Sequence, residues 1–345
     1  MRRAAAAWTL AMLAILAAGC ATPPARPPLP VMIWPLPPEV PRISLDNVIA
    51  GPQDLGLEES AWQGLMRFLA GRTPTPLVNP NGLVADSQGR LYVLDAFSRQ
   101  VHVFDTVAGR HRLWVGEGAG FVSPVGITLD EQRGRLYVSD SAQGHVQILS
   151  LQSGEPLGVI RSGGLERPTG VAVNPVTDEL LVADTLNATI VRYALEDHAV
   201  KGLIGKEGTA SGHFHAPTHL AVARTGEIVV TDALNFRVQV FSAQGQFLRS
   251  FGAPGDSPGY FSRPKGVAVD SDGNIYVVDA LFDNVQIFSA QGELLMSFGS
   301  PGGEPGEFWL PSGIFIDTQD RVHIADSYNK RVQVFRYLKN AEVSP

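Results

Sequence analysis

Cysteine is all but missing: Cys20 is the single one in 345 residues. No disulfide can form within the chain, and zinc modules built on paired cysteines are excluded. Basic charge is also short. Lys and Arg number 27 against 34 Asp and Glu, a net charge of −7, whereas nucleic-acid binders usually carry a basic face, so that partner is disfavoured. The local catalytic signatures are absent too: no Gly-rich phosphate loop between strand and helix, no Gly-x-Ser-x-Gly elbow, no His-Glu-x-x-His. Their absence removes the enzyme classes those motifs define, but not enzymes that assemble a site from separate parts of the chain. Hydrophobic content, at 44%, is ample for a core.

What the sequence has instead is repetition. Residues 264–299 read as four short apolar β runs, Gly266 to Asp270, Ile275 to Asp279, Val285 to Ser289 and Leu294 to Phe298, separated by Gly, Asp, Asn and Gln turn clusters. A proline ahead of such a unit recurs as Pro80, Pro124, Pro168, Pro217, Pro264 and Pro311, at spacings of 44, 44, 49, 47 and 47. An aspartate follows each by 15 or 16 residues: Asp95, Asp140, Asp184, Asp232, Asp279 and Asp326. Six residues later a β-branched residue opens a third strand: Val101, Val146, Ile190, Val238, Val285 and Val332. A four-stranded antiparallel sheet has two faces to cover and must be repeated until neighbours cover them. The period and strand count predict an all-β, six-bladed β-propeller, with repeats over about 72–338.

The first nineteen residues have the form of a secretory signal peptide: Arg2 and Arg3, an uncharged run from Ala4 to Ala18 too short for a comfortable membrane span, then small residues. Leu16-Ala17-Ala18-Gly19-Cys20 resembles a bacterial lipobox, which implies cleavage before Cys20, its lipidation, and an exported, periplasm-facing protein held in the cell envelope by a lipid anchor. From Ala21 to Pro41 nine of 21 residues are proline. Such a stretch favours extended polyproline II, so 20–41 reads as a tether.

The last repeat ends after its third strand, Arg331 to Leu338. An unjoined ring would expose two sheet edges, so an N-terminal segment should supply the missing strand. Arg42 to Ala50 resembles the fourth strands elsewhere, such as Gln246 to Gly252, and is the expected closing strand within a propeller domain of 42–340; Leu65 to Gly71 is the rival. Trp62, Leu65, Met66 and Leu69 recur at helical spacing behind Ser60, which reads as a helical insertion over about 58–70.

The recurring Pro-x-Gly-Val-x-Val-Asp, Tyr-Val-x-Asp and Asn-x-Arg-Val-Gln-Val-Phe patterns resemble the NHL-repeat family of six-bladed propellers. The copies that fit best are Asp232 to Phe241 and Asp326 to Phe335. That family includes a zinc-dependent peptidyl-hydroxyglycine amidating lyase whose ligand pattern does not carry over to this sequence residue by residue. Its ubiquitin-ligase and RNA-binding members carry cysteine-rich modules that this chain lacks.

One residue type in every blade points to a task every blade shares, not to a catalytic centre of unlike groups. Asp95, Asp140, Asp184, Asp232, Asp279 and Asp326 are therefore read as turn residues whose carboxylates accept backbone N–H groups. Gly82, Gly126, Gly170, Gly266 and Gly313 fit close packing near the axis. Where blades differ, function is expected. His213, His215 and His219 fall within seven residues and lead into an innermost strand, which makes them candidate zinc ligands; the bland reading is a variable loop with Phe214 packed between blades. Arg167, Arg263 and Lys265 stand beside the prolines, where their cations could meet an anionic ligand. The sequence thus points to a monomeric, non-enzymatic binding or scaffold module for a protein, peptide or envelope glycan, with no cofactor. The alternative is a metal-dependent lyase or hydrolase with its site at the channel mouth.

Overall fold

A computed structural model describes residues 29–55 and 75–339. The segments read as a signal peptide and lipidation site (1–20), as a helical insertion (58–70) and as the rival closing strand (65–71) lie outside them. One structural unit, Val31–Gly56 with Thr75–Pro345, holds the repeats.

Six antiparallel sheets follow one another, each ordered so that its first strand is innermost. Blade 5 is representative: Pro264–Val269, Ile275–Asp279, Asn284–Phe288 and Leu294–Phe298. Blades 1 to 4 span 80–114, 124–160, 168–204 and 217–251 on the same plan. Each second strand is buried along almost its whole length, because both of its faces meet neighbouring blades. The core is accordingly a set of seams. Val84, Tyr92, Leu94 and Val103 of blade 1 pack with Ile127, Leu136, Val138 and Leu149 of blade 2, and similar clusters join blade 2 to 3, 3 to 4 and 4 to 5. No blade could bury these side chains alone. Removing each from water contributes roughly 1.5–3 kcal/mol.

Blade 6 closes the ring as the sequence requires. Ile314–Ile316, Arg321–Asp326 and Arg331–Tyr337 supply three strands, and Ile43–Ile49 pairs antiparallel with Arg331–Tyr337 as the fourth. Ile49 joins Leu83, Val93, Ala325 and Val332 in the seam between blades 6 and 1. Ser327 Oγ donates to Pro80 O across the same seam at 2.7 Å.

One boundary differs from expectation. The proline-rich stretch is not a free tether as far as residue 41: Ile33–Trp34 adds a fifth strand to blade 6, pairing with Ser44 and Ile43. The reason is the apolar content between the prolines. The Trp34 ring lies 6.0 Å from Phe298 and 5.7 Å from Phe335, inserted at the seam of blades 5 and 6.

The innermost strands crowd the axis. A Cβ on Gly82 would come within 2.9 Å of Val125 O, and one on Gly170 within 2.8 Å of Thr218 O; Gly126, Gly266 and Gly313 are tighter still against the next blade. Side chains have no room there. Only blade 4 departs, with His219 in the glycine position.

A candidate ligand-binding face

In blades 1 to 5 the proline that opens the first strand faces the aspartate that ends the second. Since successive first strands abut around the axis with their glycines against the next blade's Pro-x-Gly carbonyl, the prolines and aspartates gather at one end of the ring, called here the proline face.

Its loops are held by the six aspartates, all with no exposed surface. Asp95 accepts N–H bonds from Val78 (2.6 Å) and Asn79 (3.0 Å) ahead of the first strand, and from Phe97 (3.1 Å) and Ser98 (2.8 Å) after the second. Burial pushes this carboxyl up, but the four bonds outweigh it and hold it below the ordinary carboxylate value. Asp279 repeats the arrangement with Ser262, Arg263, Leu281 and Phe282. The carboxylates thus do more than stabilise the following turn: each ties the incoming segment to that turn.

Blades 4 and 6 extend the device through Asn-x-Arg-x-Gln. Asp326 accepts from Asn329 Nδ2, Arg331 Nε at 2.7 Å and Gln333 Nε2. Arg331 then donates to the carbonyls of Gly303, Glu304 and Glu307 in the loop from blade 5. In blade 4, Asp232, Asn235, Arg237 and Gln239 grip the loop 205–216 in the same way. Buried phenylalanines plug these loops from within: Phe214, Phe261 and Phe308 are fully buried. Gly252, at φ +89°, leaves space for the Phe261 ring that a side chain would fill. The face is rigid.

On it stands a second recurring feature, apolar where the aspartates are polar. The second residue after each repeated aspartate is large, apolar and exposed in five of six blades: Phe97 (72% exposed), Leu186 (62%), Leu234 (54%), Leu281 (57%) and Tyr328 (54%). Blade 2 has Ala142. Trp309, also 54% exposed, lies 5.6 Å from the Tyr328 ring. The signal was present in the repeat alignment as an apolar residue inside a polar turn, but its side-chain exposure appears only once Asp bonding fixes the turn. Other exposed leucines, Leu113, Leu157, Leu203, Leu248 and Leu295, stand on the outermost strands of blades 1 to 5 instead.

The three candidate histidines are not brought together as a metal centre. Among the described residues no group of three His, Cys, Asp or Glu side chains is placed to hold a metal ion. His213 lies over Gly208 and gives its carbonyl to Arg237 and Gln239. His215 is exposed, its N–H bonded to Asp232. His219 sits on the innermost strand with Nδ1 3.1 Å from Thr218 Oγ1. The chain direction explains the dispersal: the first two residues flank buried Phe214 in the loop, while the third lies beyond Pro217, inside the strand. Desolvation, then the charge of Lys265, drives the His219 imidazole down to about 3, so it is neutral.

Arg167 and Arg263 are exposed on the proline face, in blades 3 and 5, with blade 4 between them. Their N–H groups are bound by Asp184 and Asp279, which leaves the guanidinium groups outward. Lys265 is half-buried at the channel mouth, and its amine is lowered to about 8 by desolvation and then by Arg263. Among the described residues no ion pair engages any of these three.

The described chain is therefore a six-bladed β-propeller, an all-β ring of four-stranded antiparallel blades. A family model described as "6-bladed beta-propeller" (DUF5128) matches residues 213–283 and 269–338. Among curated proteins, the chain is 35% identical over 96 residues to "Protein brain tumor" of Drosophila melanogaster, a match covering 27% of this chain and 9% of that protein; the chain thus spans less than a tenth of the length of that relative. Among solved structures it resembles an auxiliary nutrient binding protein from Bacteroides thetaiotaomicron (TM-score 0.62, 12% identity, 76% of this chain and 70% of the other). It also resembles virginiamycin B lyase from Staphylococcus aureus (TM-score 0.56, 13% identity, 76% and 96%). At such identities the likeness is one of fold.

Proposed function

We propose that the chain is an NHL-type propeller, exported and tethered to the cell envelope through Cys20, that acts as a binding module capturing a protein or peptide on its proline face. The observation that carries this reading is the recurrence of an exposed apolar side chain at the same turn position in five blades. Single exposed apolar residues are ordinary; one at the same position in five of six blades, on loops held by buried carboxylates, is a surface kept ready for a partner. Leucine and phenylalanine offer no hydrogen bond, so they suit a polypeptide's apolar groups better than a glycan's hydroxyls. Rigid loops also lower the ordering cost of association. The nutrient-binding neighbour is in keeping with a binding role. The metal-dependent alternative gains nothing from His213, His215 and His219.

The test compares retention of partners from envelope extract by immobilised mature protein and by two variants. Leu186→Ser with Leu234→Ser and Leu281→Ser should lose the specific partner. Val107→Ser with Val176→Ser, at exposed turns on the opposite end, should keep it. Equal retention by the two variants would remove the proposal. Tethering is checked separately: Cys20→Ser should move the protein from the membrane to the soluble fraction, and an unchanged membrane fraction would contradict the anchor.

A further inference from the structure

The residue after each first-strand proline, whose carbonyl meets the preceding blade near the axis, is Asn81, Val125, Thr169, Thr218, Lys265 or Ser312 in turn. Five are uncharged, and the four polar ones among them have partners within the protein: Thr169 Oγ1 bonds Thr185 Oγ1 at 2.7 Å, Ser312 Oγ donates to Asn81 Oδ1, and Thr218 Oγ1 meets His219 Nδ1. Lys265 alone brings a charge into this ring. Beside it, in blade 4, His219 replaces the glycine found in the other blades, and its imidazole stands against Thr218. Thr231 Oγ1 fixes the backbone by donating to Lys265 O at 2.7 Å.

A half-buried ammonium with no counter-charge among the described residues is costly, and the cost shows in its reluctance to hold its proton. The flanking carboxylates cannot serve. Asp232 is occupied by Asn235, Arg237 and Gln239, and Asp279 by four backbone N–H groups. Arg263, two residues earlier and just ahead of the strand, adds repulsion and no relief. The imidazole, being neutral, offers hydrogen bonding without further positive charge. The arrangement suits an anion.

We propose that the channel mouth between blades 4 and 5 is an oxyanion site, where Lys265 and Arg263, with Thr218 and His219 as hydrogen-bond partners, take a carboxylate or phosphate group of the captured ligand. This rests on the capture role proposed for the proline face and adds the chemistry of the ligand's polar end. Binding favours the charged amine, so affinity falls as pH rises through about 8 and the bound anion raises the Lys265 titration midpoint.

The test is an NMR titration of the mature protein with its lysines reductively ¹³C-methylated, the Lys265 signal being assigned by its loss in Lys265→Gln. Sodium acetate and inorganic phosphate are added in separate series at constant ionic strength. The midpoint should start near 8 and move up by about one pH unit at saturation, which corresponds to about tenfold tighter binding by the charged form; the probe that moves it identifies the anion class. His219→Gly, which restores the residue of the other blades, should weaken the effect several-fold. A Lys265 midpoint at the ordinary value for lysine, or one that moves no further than those of the exposed lysines with either probe, overturns the proposal. Because this readout does not involve Leu186, Leu234 or Leu281, it can fail while partner retention survives, and the reverse.

Discussion

Asp326 and Asp232 show how one buried carboxylate organises a loop. Each sits with no exposed surface and satisfies an arginine, an asparagine and a glutamine at once. Removing one partner of such a pair strands the other, a loss of about 3–5 kcal/mol. Asp326→Ala should therefore lower unfolding stability by that amount in a denaturant series, and Asp326→Asn by less, since an amide still accepts a bond. These residues were legible from recurrence alone. A second residue-scale feature was not: His102 Nδ1 and His111 Nε2 lie 3.1 Å apart, stacked with Phe104. Their sequence spacing says nothing until the register of 100–105 against 110–114 makes them diagonal neighbours. Desolvation lowers each to about 4, with His111 adding to the effect on His102. An imidazole that ionises near 6.5 when unfolded and near 4 when folded contributes full stability above pH 6.5 and loses it as pH falls to 4. Chemical unfolding followed across that window should show a decline of up to roughly 3 kcal/mol from His102, and His102→Leu should reduce it to the part that His111 contributes.

Among the elements, the N-terminal pair of strands carries the topology. Ile43–Ile49 was legible through its likeness to other fourth strands, because every blade needs one. Ile33–Trp34 was not, since prolines on either side give the segment a tether's composition and only the third dimension shows that Trp34 meets Phe298 and Phe335. Trp34→Ala should cost about 2–3 kcal/mol, below the usual range for a buried tryptophan because this ring is only partly buried. Deleting residues 31–49 removes the closing strand as well; such a chain should fail to give a cooperative thermal transition, whereas an unaltered melting curve would mean that the ring closes in another way.

For the molecule as a whole, periodicity made the six blades readable, and the same periodicity hid the face they present. Repeated residues were assigned to the scaffold and unlike ones to function, yet Phe97, Leu186, Leu234, Leu281 and Tyr328 recur and are exposed. The zinc reading of His213, His215 and His219 rested on proximity in sequence, which the bend at 215–216, ahead of the strand that opens at Pro217, undoes. The measurement that bears most directly on the capture role is site-specific photo-crosslinking in intact cells, with the probe placed at Leu234 on the proline face or at Val107 on the opposite end. A discrete polypeptide adduct at position 234 that is absent at position 107 is the predicted result; adducts of the same pattern at the two positions, or none at 234, would contradict it.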